Sequence, residues 1–409
     1  MIFTHILVFL FTFTTFAIAS DEGCVQCHTD ESILQMLVNA PKLEKISGVS
    51  PAGEMPPIKP DAYFRRYLVD KNIINKDPHL QNGCVFCHKG DAKSVDQGSA
   101  HKGIVKTPSA DLKLCGDCHD NITKPYSKSL HYNVLGLLDK VTKRFSKDEE
   151  RLFRDKVFGQ SCKSCHASCG DCHVSSPSVK GVRSGFIDGH RFVKKDERKT
   201  CAVCHGGRIY PEYTGNYSGI PDEHFEKGMG CTYCHKKGQL HGDGNSYMNK
   251  DEVKNRPRCR DCHKKGKEAK AISRLAHSKH EGKVSCYGCH VRSAYSNCYS
   301  CHNGNASFSK PSFILGINPA NRKSLTTLRL LPVGRDIFAK NGIKMEKFDE
   351  VPDYRHAPVH NIRKSTDRTR SCDVCHIAKK DFLTQKSLLK NGSKANETLI
   401  FDMGPLDIN

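Results

Sequence analysis

Short apolar clusters separated by long polar stretches run the length of the chain, and few clusters are long enough to build a conventional element. An apolar run from Ile6 to Phe16 comes first and ends at Ala17-Ile18-Ala19, a small-x-small pattern before Ser20. This is the layout of a secretory signal over residues 1–20, with His5 in place of the usual Lys or Arg. An uncleaved membrane anchor is the alternative; the run is short for a bilayer crossing, and no later segment approaches that length. From Asp61 to Ile74, the residues Tyr63, Phe64, Tyr67, Leu68 and Ile74 recur at helical spacing and predict a helix. Ser146-Lys147-Asp148-Glu149 reads as a capping box, followed by Leu152, Phe153, Val157 and Phe158 as an apolar helical face. Elsewhere Gly and Pro break the pattern into short helices and loops, and alternating strand patterns are scarce. The expected fold class is mainly α with much irregular structure and little β.

Only 37 % of the residues are apolar, so a conventional core would be thin. The cysteines supply another kind of order. All 22 fall into eleven copies of Cys-x-x-Cys-His, where composition alone predicts roughly 0.06 chance copies. The first cysteines of the copies are Cys24, Cys84, Cys115, Cys162, Cys169, Cys201, Cys231, Cys259, Cys286, Cys298 and Cys372. The second cysteines are Cys27, Cys87, Cys118, Cys165, Cys172, Cys204, Cys234, Cys262, Cys289, Cys301 and Cys375. The histidines that follow are His28, His88, His119, His166, His173, His205, His235, His263, His290, His302 and His376. Each copy is a c-type haem attachment signal: two thiols add across the vinyl groups, and the adjacent imidazole is the proximal iron ligand. A disulfide framework has no use for the histidine, and tetrahedral zinc leaves it unexplained at every second cysteine. A thioredoxin-like site needs one such motif, not eleven.

From Cys24 to His376 the chain resembles the multihaem c-type cytochromes. The resemblance implies eleven covalent haem c groups and a fold organised around stacked haems. Macrocycle faces would then replace the missing apolar core, and the apoprotein would be largely unfolded. Haem is attached outside the cytoplasmic membrane, which agrees with the signal: the protein is expected to be exported, periplasmic in the first place, with an extracellular or cell-surface location as the alternative. The mature chain is expected to have no transmembrane segment.

Motif density divides the sequence into a one-haem region at 21–83, a nine-haem core at 84–302 and a one-haem region at 303–409. The formal charge of +20 invites a nucleic-acid reading. Haem carries about −1 when ferric and about −2 when ferrous, which brings the holoprotein to about +9 oxidised and about −2 reduced. Many Lys and Arg are therefore expected as propionate partners, and nucleic acid is not an expected ligand. The basic stretch from Arg363 to Lys394 reads as a solvated surface, or else as a docking patch.

A haem with one histidine has an open axial position, and what fills it separates carrier from catalyst. Ten histidines remain outside the motifs and the signal: His79, His101, His131, His190, His224, His241, His277, His280, His356 and His360. The gaps after His166 and His290 hold none, so those tandem sites must borrow ligands from elsewhere. His277 with His280, and His356 with His360, are spaced to share a helical face and to serve two neighbouring haems each. Ten do not reach eleven. The haem at Cys24 is the expected exception, with Met55 in Gly53-Glu54-Met55-Pro56-Pro57 resembling the Met-Pro loop of monohaem cytochromes c, and Met36 as a lesser candidate.

Bis-histidine iron accepts and passes electrons without binding substrate. The expected function is electron transfer between periplasmic or extracellular redox partners, quinol-linked or other cytochromes, with self-association into a haem wire conceivable. The alternative is a reductase of small nitrogen or sulfur oxyanions with one five-coordinate haem. Cys201-Ala202-Val203-Cys204-His205-Gly206-Gly207-Arg208, Pro211-Glu212-Tyr213 and His224-Phe225-Glu226-Lys227-Gly228-Met229-Gly230 resemble the core of octahaem reductase and hydroxylamine-oxidoreductase-like cytochromes. The Cys-x-x-Cys-Lys attachment of ammonia-forming nitrite reductases is absent.

Overall fold

The computed structural model describes residues 21–39, 60–162, 167–175, 185–194, 197–206, 208–216, 218–264, 271–292, 313–331 and 333–402. The side chains of Cys162, Cys165 and His166 and of Cys298, Cys301 and His302 lie outside the described residues, as do Met55 and the signal segment. Among the described residues the fold is about 49 % helical and 8 % strand, mainly α with one small sheet. Among the described residues no helix is long and apolar enough to cross a membrane.

Backbone contacts gather the chain into two units. The smaller takes in 21–39, 60–108 and 185–193 of the described residues and carries the motifs at Cys24 and Cys84. Its apolar interior is slight, with Leu34, Phe64, Ile73 and Ile187 buried. The helix predicted over 61–74 is here two pieces, a 3-10 turn Pro60–Tyr67 and a short helix Lys71–Ile74. The break has a cause. Asp70 caps the second piece by accepting from Asn72 N–H at 2.9 Å, and its own N–H is committed to the Gly189 carbonyl at 3.0 Å. Val69 N–H is likewise committed to the His28 carbonyl, at 2.7 Å.

The larger unit holds the other motifs. Its best-formed apolar cluster is Leu138, Phe145, Phe153, Ile343, Met345 and Phe348. The capping box forms as the sequence predicts: Ser146 and Glu149 satisfy one another's N–H groups and start helix Lys147–Phe153. The Glu149 carboxylate also accepts from Lys344 N–H at 2.7 Å and Glu346 N–H at 3.0 Å, tying distant chain to the helix start.

One antiparallel sheet, in the order β1-β2-β3, is formed by β1 Ile314–Asn318, β2 Asn321–Leu330 and β3 Tyr354–His356. Its hairpin escapes the alternation pattern because Gly316 faces Thr326 and two successive threonines, Thr326 and Thr327, are both buried. Both threonine hydroxyls are used. Thr327 Oγ1 donates to the Tyr287 carbonyl at 2.6 Å and Thr326 Oγ1 pairs with Ser285 Oγ at 2.9 Å, fastening the motif at Cys286 to the sheet.

The basic stretch after Arg363 is more than solvated surface. Arg368 is buried and donates to the carbonyls of Gly288 and Phe313 and to the Asp381 carboxylate. Arg363 pairs with Glu226 at 2.6 Å.

Candidate haem sites

Four of the described motifs, Cys84–His88, Cys169–His173, Cys201–His205 and Cys286–His290, form one short helix each, while at Cys231 and Cys259 the helix ends at the second cysteine and the histidine is extended. In a helix, positions i, i+3 and i+4 share a face, so this spacing brings both thiols and the imidazole to one side. Acidic side chains from elsewhere cap several of these turns. Asp21 accepts from Cys84 N–H at 2.6 Å, and Glu197 accepts from Cys231 and Thr232 N–H at 2.7 and 2.9 Å. Gly230 makes room for the second cap: a Cβ there would lie 2.3 Å from a Glu197 carboxylate oxygen.

None of the described cysteines is in a disulfide, so their thiols are chemically open to attachment. Among the second cysteines, Cys27 and Cys87 are half-buried and Cys118 is exposed. Cys165 and Cys301 were expected to attach haem in the same way, and both lie outside the described residues.

Eight proximal imidazoles each face one histidine from outside the motifs. In the smaller unit His28 faces His101 with ring centres 6.1 Å apart, and His88 faces His190 at 6.1 Å. Met36, the lesser methionine candidate for the Cys24 site, is 75 % exposed. In the larger unit the pairs are His205 with His131 at 6.4 Å, His173 with His241 at 6.1 Å and His263 with His224 at 6.0 Å. Three more are His235 with His360 at 6.3 Å, His290 with His277 at 6.1 Å and His376 with His280 at 5.8 Å. Direct ring stacking would be closer, as His79 on Phe192 is at 4.1 Å. Two imidazoles bound trans to one iron, with metal–nitrogen bonds of about 2 Å, set their ring centres about 6.2 Å apart. The spacing matches a metal between the rings.

The other ring nitrogen is held as a ligand requires. Nδ1 of His28, His88 and His290 lies 3.0, 3.0 and 3.1 Å from the carbonyls of Tyr67, Val105 and Arg363. Only an N–H can serve a carbonyl, so these rings carry the proton on Nδ1 and leave the Nε2 lone pair for metal. His277 and His280 do the same with the carbonyls of Ser273 and Ala276. His79 and His224 use the carboxylates of Asp77 and Asp222, at 3.0 and 2.8 Å. The sequence pattern does not single out these orienting groups; an Asp two residues before His79 and before His224 is the one legible sign.

His241 and His360 carry buried Nδ1 atoms with no hydrogen-bond partner. A buried polar atom without a partner is unusual, and these two rings lack the Nδ1 hydrogen bond that orients the others. Burial, then Arg208 and His235, hold the His360 imidazole down at about 3, in the neutral form that ligates metal. His205 has solvent-exposed surface, yet burial and then the neighbouring His131 lower it to about 4. The residues present fit haem.

Thiols of different motifs also meet. Cys24 and Cys84 lie with Asp21 inside 4.8 Å. That trio offers three ligands, one fewer than structural zinc requires. In the larger unit the first cysteines pair as Cys115 with Cys169, Cys201 with Cys231 and Cys259 with Cys286. The second cysteines continue the path: Cys172 is close to Cys201 and Cys204, Cys234 to Cys262, and Cys289 to Cys375. Backbone and side-chain bonds hold neighbouring motifs together. Ser109 Oγ meets Ser168 Oγ at 2.9 Å, Ala167 N–H donates to the His131 carbonyl at 2.9 Å, and Arg260 pairs with Glu281 at 2.7 Å.

His356 belongs to β3, with Nδ1 3.8 Å from an Asp251 oxygen and its ring 6.1 Å from Tyr287. His356 and His360 thus face different surroundings.

Residues 114–206 match the model of the cytochrome c554 and c-prime family. The match supports a c-type cytochrome and haem-based electron transfer in general. No curated protein and no solved structure matches the chain.

Proposed function

We propose that this protein is an exported electron carrier holding eleven covalent haem c groups, most of them between two histidines. The observation that carries the reading is the set of eight imidazole pairs with ring centres 5.8 to 6.4 Å apart. In this reading His101, His190, His131, His241, His224, His360, His277 and His280 are the distal ligands opposite His28, His88, His205, His173, His263, His235, His290 and His376. His101 takes the place at the Cys24 site in preference to Met55. This reading makes no pairing for the proximal residues His119, His166 and His302, nor for His79 and His356.

Haem supplies one-electron chemistry when bound. The chain supplies everything else. Thioether attachment fixes each macrocycle, and paired imidazoles close the axial positions to substrate. Cys27, Cys87, Cys118, Cys165 and Cys301 would each give the second thioether of their motif, as the other second cysteines do. Backbone carbonyls and the carboxylates of Asp77 and Asp222 orient the rings and tune their basicity. The thiol contacts order the sites of the larger unit as Cys115, Cys169, Cys201, Cys231, Cys259, Cys286 and Cys372, an arrangement suited to passing charge from one site to the next. The redox partners would be proteins outside the cytoplasmic membrane.

A second reading rests on the count of histidines. Ten for eleven irons leaves at least one site open for a small ligand. Carbon monoxide titration of the fully reduced holoprotein separates the readings. We expect binding at a small minority of irons; binding at most of them would overturn the carrier assignment.

A further inference from the structure

Two attachment motifs have no side chain of their own at the helix start. Gly83 is the N-cap of helix Cys84–His88 and Gly230 the N-cap of Cys231–Cys234. At other motifs the acid that closes the helix start is local. Asp171 accepts from Ser168 N–H and Asp261 from Arg258 N–H, both at 2.8 Å and both within one motif. At Cys84 and Cys231 the acid comes instead from just ahead of the preceding motif. Asp21 lies three residues before Cys24, and Glu197 four residues before Cys201.

Both acids are bonded at two ends. The Asp21 carbonyl accepts from Val25 N–H at 2.8 Å, and its carboxylate from Cys84 N–H at 2.6 Å. The Glu197 carbonyl accepts from Ala202 N–H at 2.9 Å, and its carboxylate from Cys231 and Thr232 N–H at 2.7 and 2.9 Å. Val25 and Ala202 each directly follow the first cysteine of their motif. The backbone end thus grips one motif and the side chain grips the next.

Ordinary capping does not account for this. Asp21 is the N-cap of helix Glu22–His28, yet its side chain caps none of that helix's N–H groups. The glycines belong to the device. A Cβ on Gly83 would lie 3.0 Å from Asp21 Oδ2, and one on Gly230 only 2.3 Å from Glu197 Oε2. Where the first bracket closes, an Asp21 oxygen and the thiols of Cys24 and Cys84 lie within 4.8 Å of one another. The same arrangement occurs once in the smaller unit and once in the larger.

We infer that Asp21 and Glu197 are positioning residues, each a bracket that holds two successive attachment motifs together so that their haems form a close pair. The inference rests on the proposed function for the haems themselves. Each bracket also sets a negative charge beside two haems, which favours the ferric form of both.

The test uses the holoprotein and its Asp21→Ala, Asp21→Asn, Glu197→Ala and Glu197→Gln variants, read by Soret circular dichroism and potentiometric titration. Two haems held close couple their Soret transitions and give a bisignate band. Each Ala variant should lose part of that band at unchanged haem content, and the losses should add in the double variant. Asn and Gln keep an acceptor oxygen and should restore the band. With the charge gone, two haems should then rise in potential, on the order of tenfold in reduction constant or about 59 mV. A wild-type band in either Ala variant removes that residue's bracket. If an Ala variant does not fold, its Asn or Gln counterpart decides, and unchanged potentials there overturn the inference. Absence of haem from the wild type would defeat the carrier reading and the brackets with it. Full haem content with an unchanged band defeats the brackets alone.

Discussion

His235 and His360 come from distant parts of the chain and place their ring centres 6.3 Å apart with planes only 24° from parallel. Both are held in that relation. His235 Nδ1 lies 3.0 Å from Gln239 Oε1, and the backbone N–H of His360 is directed at Glu212 Oε2, 3.3 Å away. The pair is a candidate iron site assembled by the tertiary fold.

Replacing His360 with Ala should open one axial position. The expected result is a high-spin ferric signal from one haem, cyanide binding at that haem, and unchanged haem content. Spectra identical to wild type would remove His360 as a ligand.

His277 and His280 share helix Ala271–His280 but face different motifs, at His290 and His376. His277→Ala and His280→Ala should each convert a different haem to high spin, and the double variant should show both conversions. Sites without shared partners add. A double variant no different from either single one would contradict separate roles.

The candidate attachment motifs were legible because each lies within five adjacent residues. The partners were not. His190 meets His88 and His360 meets His235 through contacts that only the fold creates, although the supply of ten histidines was readable. Sequence spacing suggested like roles for His356 and His360, yet strand β3 ends at His356 and the two part company. The predicted 61–74 helix failed for a local reason, since Asp70 caps its own downstream turn. Arg368 looked like one more surface charge because nothing nearby in sequence announces the carbonyls of Gly288 and Phe313.

Asp222 accepts from His224 Nδ1 at 2.8 Å and raises the basicity of that imidazole, chiefly through the hydrogen bond. A more basic ligand favours ferric iron. Asp222→Asn should therefore raise the potential of the haem at Cys259, on the order of tenfold in its reduction constant or about 59 mV. Potentiometric titration checks it; a fall would contradict the assigned role.

Burial alone would push the Glu149 carboxyl up, but N–H donors from Glu346, Ser146 and Lys344 together hold it below the usual carboxylate range. A carboxylate with a depressed folded pKa stabilises above its unfolded value near 4.5 and loses that contribution as pH falls through the folded one. Glu149→Ala should cost about 1–3 kcal/mol at pH 7, with the gap to wild type narrowing as pH drops below about 4. Thermal unfolding across that range measures it. A gap that is constant with pH would mean that the charge is irrelevant.

The central claim is that the paired imidazoles clasp iron, and low-temperature EPR of the oxidised holoprotein tests it most directly. Ring planes are 65° to 81° apart at His28/His101, His88/His190, His131/His205 and His224/His263. They are 13° to 24° apart at His173/His241, His235/His360 and His277/His290. Near-parallel ligand planes give rhombic low-spin ferric signals and near-perpendicular ones give strongly anisotropic low-spin signals, so both classes should be present in comparable amounts. A spectrum dominated by high-spin ferric haem would contradict the claim.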